Sequence, residues 1–200
     1  MRLIFRGYLK ELENLSSLKE ILDDYKLRKN DFWRKVMSFY TGLSDIDEAI
    51  KHASKFHKDQ THCDEHQRRI LKDSKRKFAT LLKKLKAQIL TCANFKDLYD
   101  LLKKKCKPAG IGDLAIYDTA MRLGAYLEKS TGKDFTPQEV YLHNGTAAGA
   151  TSLKKMNKIS YSSNPVPLSV FSNLFKGLKP FEIEEVLCVY KNVLAKLANE

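Results

Sequence analysis

The chain has 200 residues, of which 36 are Lys or Arg and 24 are Asp or Glu, so its formal net charge is +12 at pH 7. Hydrophobic residues make up 43 % of the sequence, which excludes a disordered chain and is enough for a sizeable core. The excess of positive charge favours a polyanionic partner such as nucleic acid.

The sequence carries no targeting or membrane signal that we recognise. No stretch approaches the roughly 18 uninterrupted apolar residues that cross a bilayer, and the apolar residues near Met1 are too few for a signal-peptide core. The four cysteines are widely spaced and form no CxxC pair. We therefore expect reduced thiols in a soluble intracellular protein, located in the cytoplasm or with the nucleoid or nucleus.

Helical spacing of apolar residues dominates the first half of the chain. Amphipathic runs predict two short helices over Leu15–Leu27 and Asp31–Tyr40. Ser44 is predicted to cap a third helix, which ends near Phe56. From Asp64 to about Leu90 the apolar spacing predicts one long helix with a single buried stripe.

The next helices are predicted from residues that begin or end a helix. Asn94 is predicted to cap a helix that stops at Pro108-Ala109-Gly110, and another helix begins after Gly112. Thr136-Pro137-Gln138-Glu139 combines a cap, a proline at the first helical position and a reciprocal glutamate, which predicts a further helical turn.

The last third of the chain is also predicted to be helical. Gly145 to Met156 forms one helix, Asn157 to Pro167 is a connection, and Pro180 opens the final helix. The fold class is therefore all-α, with about eight to ten helices in one domain. Its predicted parts are residues 1–60, 61–150 and 151–200.

Positive charge is concentrated between Asp64 and Lys107, where 14 Lys and Arg face five Asp and Glu. Such a run is typical either of a solvated helix face or of a surface that binds nucleic acid. The cations that we expect to contact phosphates are Arg68, Lys72, Lys75, Arg76, Lys103, Lys104, Lys105 and Lys107.

This basic run leads into a glycine turn. Gly110 and Gly112 allow a sharp turn, and the helix that follows directs unpaired N–H groups outward, where they can bind a phosphate. Phe95 to Leu127 resembles the helix-hairpin-helix motif of DNA repair and recombination proteins, which implies binding of DNA phosphates without sequence specificity. Asp113, at the start of the second helix, is expected to cap it and to compete with phosphate.

The resemblance extends over Leu81 to Ala150 to the helix-hairpin-helix DNA glycosylases, which implies a catalytic aspartate shortly after the helix that follows the hairpin. The matching segment here, Val140 to Thr146, contains no carboxylate. Leu114 lies where the lyase-competent members have lysine, so Schiff-base chemistry is not predicted. The candidate catalytic residues are Asp118, as a carboxylate that activates water, and His143, as a proton relay. Whether the protein is an enzyme stays open at this point.

A second resemblance is to an uncharacterised protein family with a Gly-Ile-Gly…Tyr-Asp-Thr-Ala…Arg-x-Gly-Ala-Tyr-Leu…Tyr-Leu-His-x-Gly-Thr signature, and it implies no activity. Asp118 and Arg122 are one helical turn apart, which permits an ion pair on one helix face. The signature residues expected to support the site are Tyr117, Arg122, Asn144 and Thr146.

His57, His62, Cys63 and His66 have some of the spacing of metal ligands, but no CxxC or HExxH pattern joins them. We therefore expect neither a metal nor another cofactor. The predicted partner is duplex DNA, bound by a monomer without membrane association. The alternatives are an atypical glycosylase that excises a damaged or modified base, and an RNA- or protein-binding helical module.

Overall fold

The computed structural model describes residues 12, 14–28, 32–59 and 67–200. This part of the chain is 63 % helix and 3 % strand, which confirms the all-α prediction. The chain divides into two compact units. We call Asp31–Thr136 the central unit, and Met1–Asn30 with Pro137–Glu200 the terminal unit. The unit boundaries thus follow residues 30 and 136, whereas the sequence pattern suggested subdivisions at 60 and 150.

The described elements follow one another in this order: α1 (Leu18–Arg28), α2 (Phe32–Thr41), α3 (Ile46–Ser54), α4 (Lys72–Lys84), α5 (Lys86–Thr91), α6 (Phe95–Lys105), α7 (Asp113–Thr131), β1 (Glu139–Val140), α8 (Asn144–Lys155), β2 (Val166–Pro167), a 3₁₀ turn (Leu168–Val170), α9 (Pro180–Val189) and α10 (Lys191–Leu197).

Helix α7 is the core of the central unit. Every residue from Ala115 to Ala125 is buried, as expected for a helix that other helices surround. Helices α2, α3 and α6 pack against it, and α4 packs against α3 and α5. Gly124 permits close packing, since a Cβ atom there would lie 3.1 Å from Cβ of Phe135. The predicted cap of α6 is confirmed, because Asn94 Oδ1 accepts a hydrogen bond from the Asp97 amide at 2.9 Å.

Two predictions for the central unit are wrong. The segment from Asp64 to Leu90 is not one helix, because α4 begins only at Lys72 and a tight turn at Leu85 separates α4 from α5. Residues 64–66 of that segment lie outside the described part. The cap of α3 is Asp45 rather than Ser44, because the Asp45 carboxylate accepts a hydrogen bond from the Glu48 amide at 2.8 Å.

The terminal unit is built around α8, which packs against α9 and α10. Two glycines of α8 allow this close packing: a Cβ atom on Gly149 would lie 2.2 Å from the carbonyl oxygen of Leu187, and one on Gly145 would lie 2.6 Å from Sγ of Cys188. Helix α1 joins this unit through α9. Among the described residues, no helix is long and apolar enough to span a bilayer.

The predicted helical turn at Thr136–Glu139 is also wrong. The Asp134 carboxylate accepts a hydrogen bond from the Thr136 amide at 2.7 Å, which closes a side-chain turn in place of a helix. Glu139 and Val140 then pair antiparallel with β2. The predicted final helix begins at Pro180 as expected, but it breaks at Tyr190 into α9 and α10.

Candidate nucleic-acid interface

The turn between α6 and α7 is anchored from inside the central unit. Ile111 is 3 % exposed, and its amide donates a hydrogen bond to the Pro108 carbonyl at 3.1 Å. Gly110 has φ of +84°, a conformation that favours glycine, whereas Gly112 has φ of −85° and ψ of 170°, which any residue adopts. Only the first of the two predicted glycines is therefore required by the backbone.

Helix α7 begins without a side-chain cap. Its N-cap residue is Gly112, which has no side chain to accept a hydrogen bond from the first turn. The carboxylate of Asp113 lies beside this helix start, with one oxygen 2.5 Å from Lys107 Nζ and the other 3.8 Å from Lys103 Nζ. Two of the four predicted phosphate-binding lysines at this turn, Lys103 and Lys107, thus lie near an acid of the same chain.

Other cations lie before α4, along α4 and at the end of α6. They are exposed, and they form no salt bridge with any residue in the described part of the chain. The cations that share these properties are Arg68, Arg69, Lys72, Lys77, Lys83, Lys84 and Lys104. Because they are exposed and form no salt bridge among the described residues, they give this part of the surface a positive potential.

The remaining predicted cations have contacts within the chain. Lys105 Nζ donates to Oε1 of Gln88 at 2.6 Å, and Lys75 Nζ lies 5.6 Å from the centre of the Phe56 ring. Arg76 forms a salt bridge with Asp73, in which both side chains are exposed. An exposed pair of this kind contributes little to stability and exchanges readily for a phosphate contact.

The cations of α4 are arranged along the helix. At about 100° per residue, Lys72, Arg76 and Lys83 fall within about 40° of one another on the face opposite the buried residues. They follow one line of roughly 16 Å along the helix axis. The opposite face is buried through Ser74, Phe78 and Leu82.

Helix α4 packs against the turn and the end of α6 through its buried face. A Cβ atom on Gly110 would lie only 2.6 Å from Oγ of Ser74, so the first turn of α4 contacts the turn directly. The thiol of Cys106, at the end of α6, donates to the Phe78 carbonyl of α4 at 3.8 Å. Burial raises the pKa of this thiol to about 12, so Cys106 has a structural rather than a reactive role.

Asp118 and Arg122 form a buried ion pair, as their spacing predicts. Asp118 is 5 % exposed and Arg122 is fully buried, and 4.0 Å separates the carboxylate Oδ2 from the guanidinium Nη1. Gln67 Nε2 donates a hydrogen bond to Asp118 Oδ2 at 2.6 Å, and the Arg122 guanidinium lies 5.8 Å from the centre of the Trp33 ring. Tyr117 is buried against Phe95, with 5.5 Å between the ring centres. These contacts join α7 to α2, to α6 and to the segment before α4.

His143 and its neighbours belong to the terminal unit, whereas Asp118 belongs to the central unit. His143 is the N-cap residue of α8, and Asn144 is its exposed first residue. The Thr146 hydroxyl lies 2.8 Å from the His143 carbonyl and 3.2 Å from the Tyr141 carbonyl, and it donates to this pair of acceptors. These are the contacts of a helix start, and base excision by Asp118 and His143 stays a prediction.

A pair of histidines lies in the central unit. His52 Nδ1 and His57 Nδ1 are 3.1 Å apart, so one donates a hydrogen bond to the other. Burial lowers the pKa of both imidazoles. No group of three or more potential metal ligands occurs among the residues that the structure describes. His62, Cys63 and His66 lie outside those residues.

No protein-family model, curated protein or solved structure matches the chain. The functional interpretation therefore depends on the geometry of the central unit. That geometry consists of exposed cations on α4 and at the end of α6, most of which form no salt bridge with the residues that the structure describes, together with the start of α7, which has no side-chain cap.

Proposed function

We propose that the central unit binds the phosphate backbone of DNA through α4, the end of α6 and the start of α7. The observation that carries this proposal is the set of exposed cations that form no salt bridge with any described residue, together with a helix start that has no side-chain cap. A helix start stabilises a nearby anion through its outward N–H groups and its dipole.

The arrangement of the cations favours an extended polyanion over a small anion. Lys72, Arg76 and Lys83 follow one line of about 16 Å along α4, which is longer than a single phosphate group. Lys104 extends the positive surface to the end of α6. A nucleic acid strand presents one charge about every 3.4 Å, so it can engage these cations together.

We expect this binding to be insensitive to base sequence. The cations carry long flexible side chains on an exposed helix face, and such side chains contact phosphates more readily than base edges. Counterion release then provides most of the binding free energy, and each phosphate contact adds about 0.9 to the slope of log affinity against log salt.

The test is fluorescence anisotropy with a labelled duplex of about 20 base pairs, between about 50 and 200 mM salt. The double variant Lys72→Gln with Lys83→Gln should lower the salt slope by about two, because two phosphate contacts are lost. The matched control is Lys158→Gln with Lys176→Gln, which removes two exposed cations of the terminal unit. This control should bind almost as tightly as the wild type.

Three results would count against the proposal. They are undetectable binding at the lowest salt, affinity that does not change with salt, and an equal loss of affinity in the two double variants. A labelled RNA duplex of the same length is measured in parallel. Clearly tighter binding to the RNA duplex would show that the partner is RNA rather than DNA.

A further inference from the structure

Two imidazole rings meet at the end of α3. His52 is a buried residue of the last turn of this helix, and His57 lies just beyond its end. Their Nδ1 atoms are 3.1 Å apart. Two facing nitrogens at this distance share one proton, because a nitrogen that donates must face one that accepts. A second proton would place two donors and two positive charges opposite each other.

The surroundings of this pair carry more positive than negative charge. From α2 come the ring of Phe39 and the hydroxyl of Tyr40, which are uncharged. Helix α7 also packs against α3, and its buried charges Asp118 and Arg122 pair with each other. The charged groups that act on the two imidazoles are the cations Lys51, Lys55 and Lys75 and the acids Glu48 and Asp59. A second proton on the pair is therefore opposed both by the first and by its surroundings.

The residue before His57 has a strained backbone. Phe56 has φ of +56°, in the left-handed region that bulky residues rarely adopt. Its ring is fully buried and stacks on Phe78 of α4, with 5.6 Å between the ring centres and 10° between the planes. The Phe56 amide donates to the Ala53 carbonyl at 2.9 Å, and the His57 amide donates to the His52 carbonyl at 3.1 Å. A strained residue persists only where such contacts hold it, and the contact between the imidazoles is one of them.

We infer that His52 and His57 form a pH-sensitive latch, which holds Phe56 against α4 while the facing nitrogens share one proton and releases it when both imidazoles are charged. A second proton, taken up from solvent, replaces attraction by repulsion across 3.1 Å, and the strain at Phe56 favours release. Burial already lowers the pKa of both imidazoles in the closed state. Release uncovers Phe78 on the buried face of α4. The latch belongs to the fold of the central unit and does not depend on the proposed function.

The test is amide hydrogen exchange of the full chain, followed by NMR at about pH 7 and about pH 5 and corrected for the intrinsic exchange rates. The amides of Phe56 and His57 report on the latch. One imidazole with the ordinary pKa of 6.5 that is charged only after opening raises the opening equilibrium constant about 25-fold over this interval. We expect the protection of both amides to fall by about tenfold or more, because the closed state also takes up some protons.

Urea separates a local opening from unfolding of the whole unit. Exchange through a local opening exposes little surface and does not accelerate at low urea, whereas exchange through global unfolding does. At the lower pH we expect the Phe56 and His57 amides to be insensitive to low urea. The amide of Leu123, in the buried middle of α7, should be sensitive to it.

Two variants assign the effect to the histidines. His52→Asn/His57→Asn keeps hydrogen-bonding groups on both side chains but cannot be charged, so its exchange should lose the pH dependence. If this double variant does not fold, His52→Asn alone should show a smaller fall in protection than the wild type. The matched control is Ser54→Ala, which removes a buried hydroxyl that donates to the Lys51 carbonyl at the same helix end and leaves the pair intact. It should keep the full pH dependence.

Three results would overturn the latch. The first is wild-type protection of Phe56 and His57 that is the same at both pH values. The second is an undiminished fall in protection in the histidine variants, which would assign the effect to other groups. The third is an acceleration of these amides by low urea equal to that of Leu123, which would show that acid opens the whole unit rather than this segment.

Discussion

Asp113 is the acid that most directly opposes the proposed interface, and Asp113→Asn is expected to strengthen duplex binding. Its carboxylate lies at the start of α7, 2.5 Å from Lys107 Nζ and 3.8 Å from Lys103 Nζ. A phosphate that docks at this helix start approaches the same two lysines. The substitution keeps the side-chain shape, removes one negative charge and releases both lysines.

The size of the effect follows from the exposure of these groups. The Asp113 side chain is 43 % exposed and the two lysines are 48 % and 41 % exposed, so the charges interact largely through water. Two unit charges about 5 Å apart in water repel by about 0.8 kcal/mol, which corresponds to roughly fourfold in affinity. The released lysines should make up to about one further phosphate contact, which would steepen the salt dependence of the affinity by about 0.9.

The assay is the duplex anisotropy titration, with Asp23→Asn as the control for charge. Asp23 is an exposed acid of α1 in the terminal unit, so its substitution should change affinity much less. Asp113→Asn should also unfold at a slightly lower temperature, because an acid at a helix start stabilises the helix by about 0.3 to 1 kcal/mol. Unchanged or weaker duplex binding by Asp113→Asn would refute the idea that phosphate and Asp113 compete.

The remaining predictions concern stability, measured by urea unfolding. Gly149→Ala should lower the free energy of unfolding by about 2 kcal/mol or more, because its Cβ atom would lie 2.2 Å from a carbonyl oxygen of α9. A variant as stable as the wild type would contradict this packing. Arg122→Met should lower the free energy of unfolding by about 3 to 5 kcal/mol, because it leaves the buried carboxylate of Asp118 without its cation. Adding Asp118→Asn should recover part of that loss, and no recovery would argue against the ion pair. The pKa values of His52 and His57 are lowered on folding from the ordinary value of 6.5, so the unfolded chain binds more protons. Stability should therefore fall as the pH drops below about 6.5, and a variant with both histidines replaced by asparagine should show a smaller fall.

Local signals in the sequence were sufficient for much of the helical framework. Asn94 caps α6 and Pro180 begins α9 as predicted, because a cap or a first-turn proline acts through its own neighbours. The break at Leu85 was not predictable from apolar spacing. Phe78, Leu82, Leu85 and Ile89 are all buried, so the three-and-four pattern continues across the turn and does not reveal it.

The candidate interface was predictable in composition but not in detail. The sequence indicated the lysines by their charge and Gly110 as a turn residue, because each of these properties belongs to a single position. The contact of Ser74 with the turn brings together residues that are far apart in the chain, and so does the hydrogen bond from Gln67 to Asp118 across 51 positions. Neither residue type carries a sequence signal for such a contact, so only the fold shows them.

The division of the chain has a consequence for the order of events during synthesis. Helix α1 is held by hydrogen bonds from Tyr25 to Glu185 and from Tyr190 to Asp24, and its partners lie beyond the whole central unit. A ribosome that adds about 5 to 20 residues per second needs roughly 8 to 30 s to reach those partners after α1 has been made. An isolated helix of 11 residues is marginal in water. The central unit thus has all its contacts while α1 still lacks its own, and a helix that leaves the ribosome before the central unit is stabilised after it.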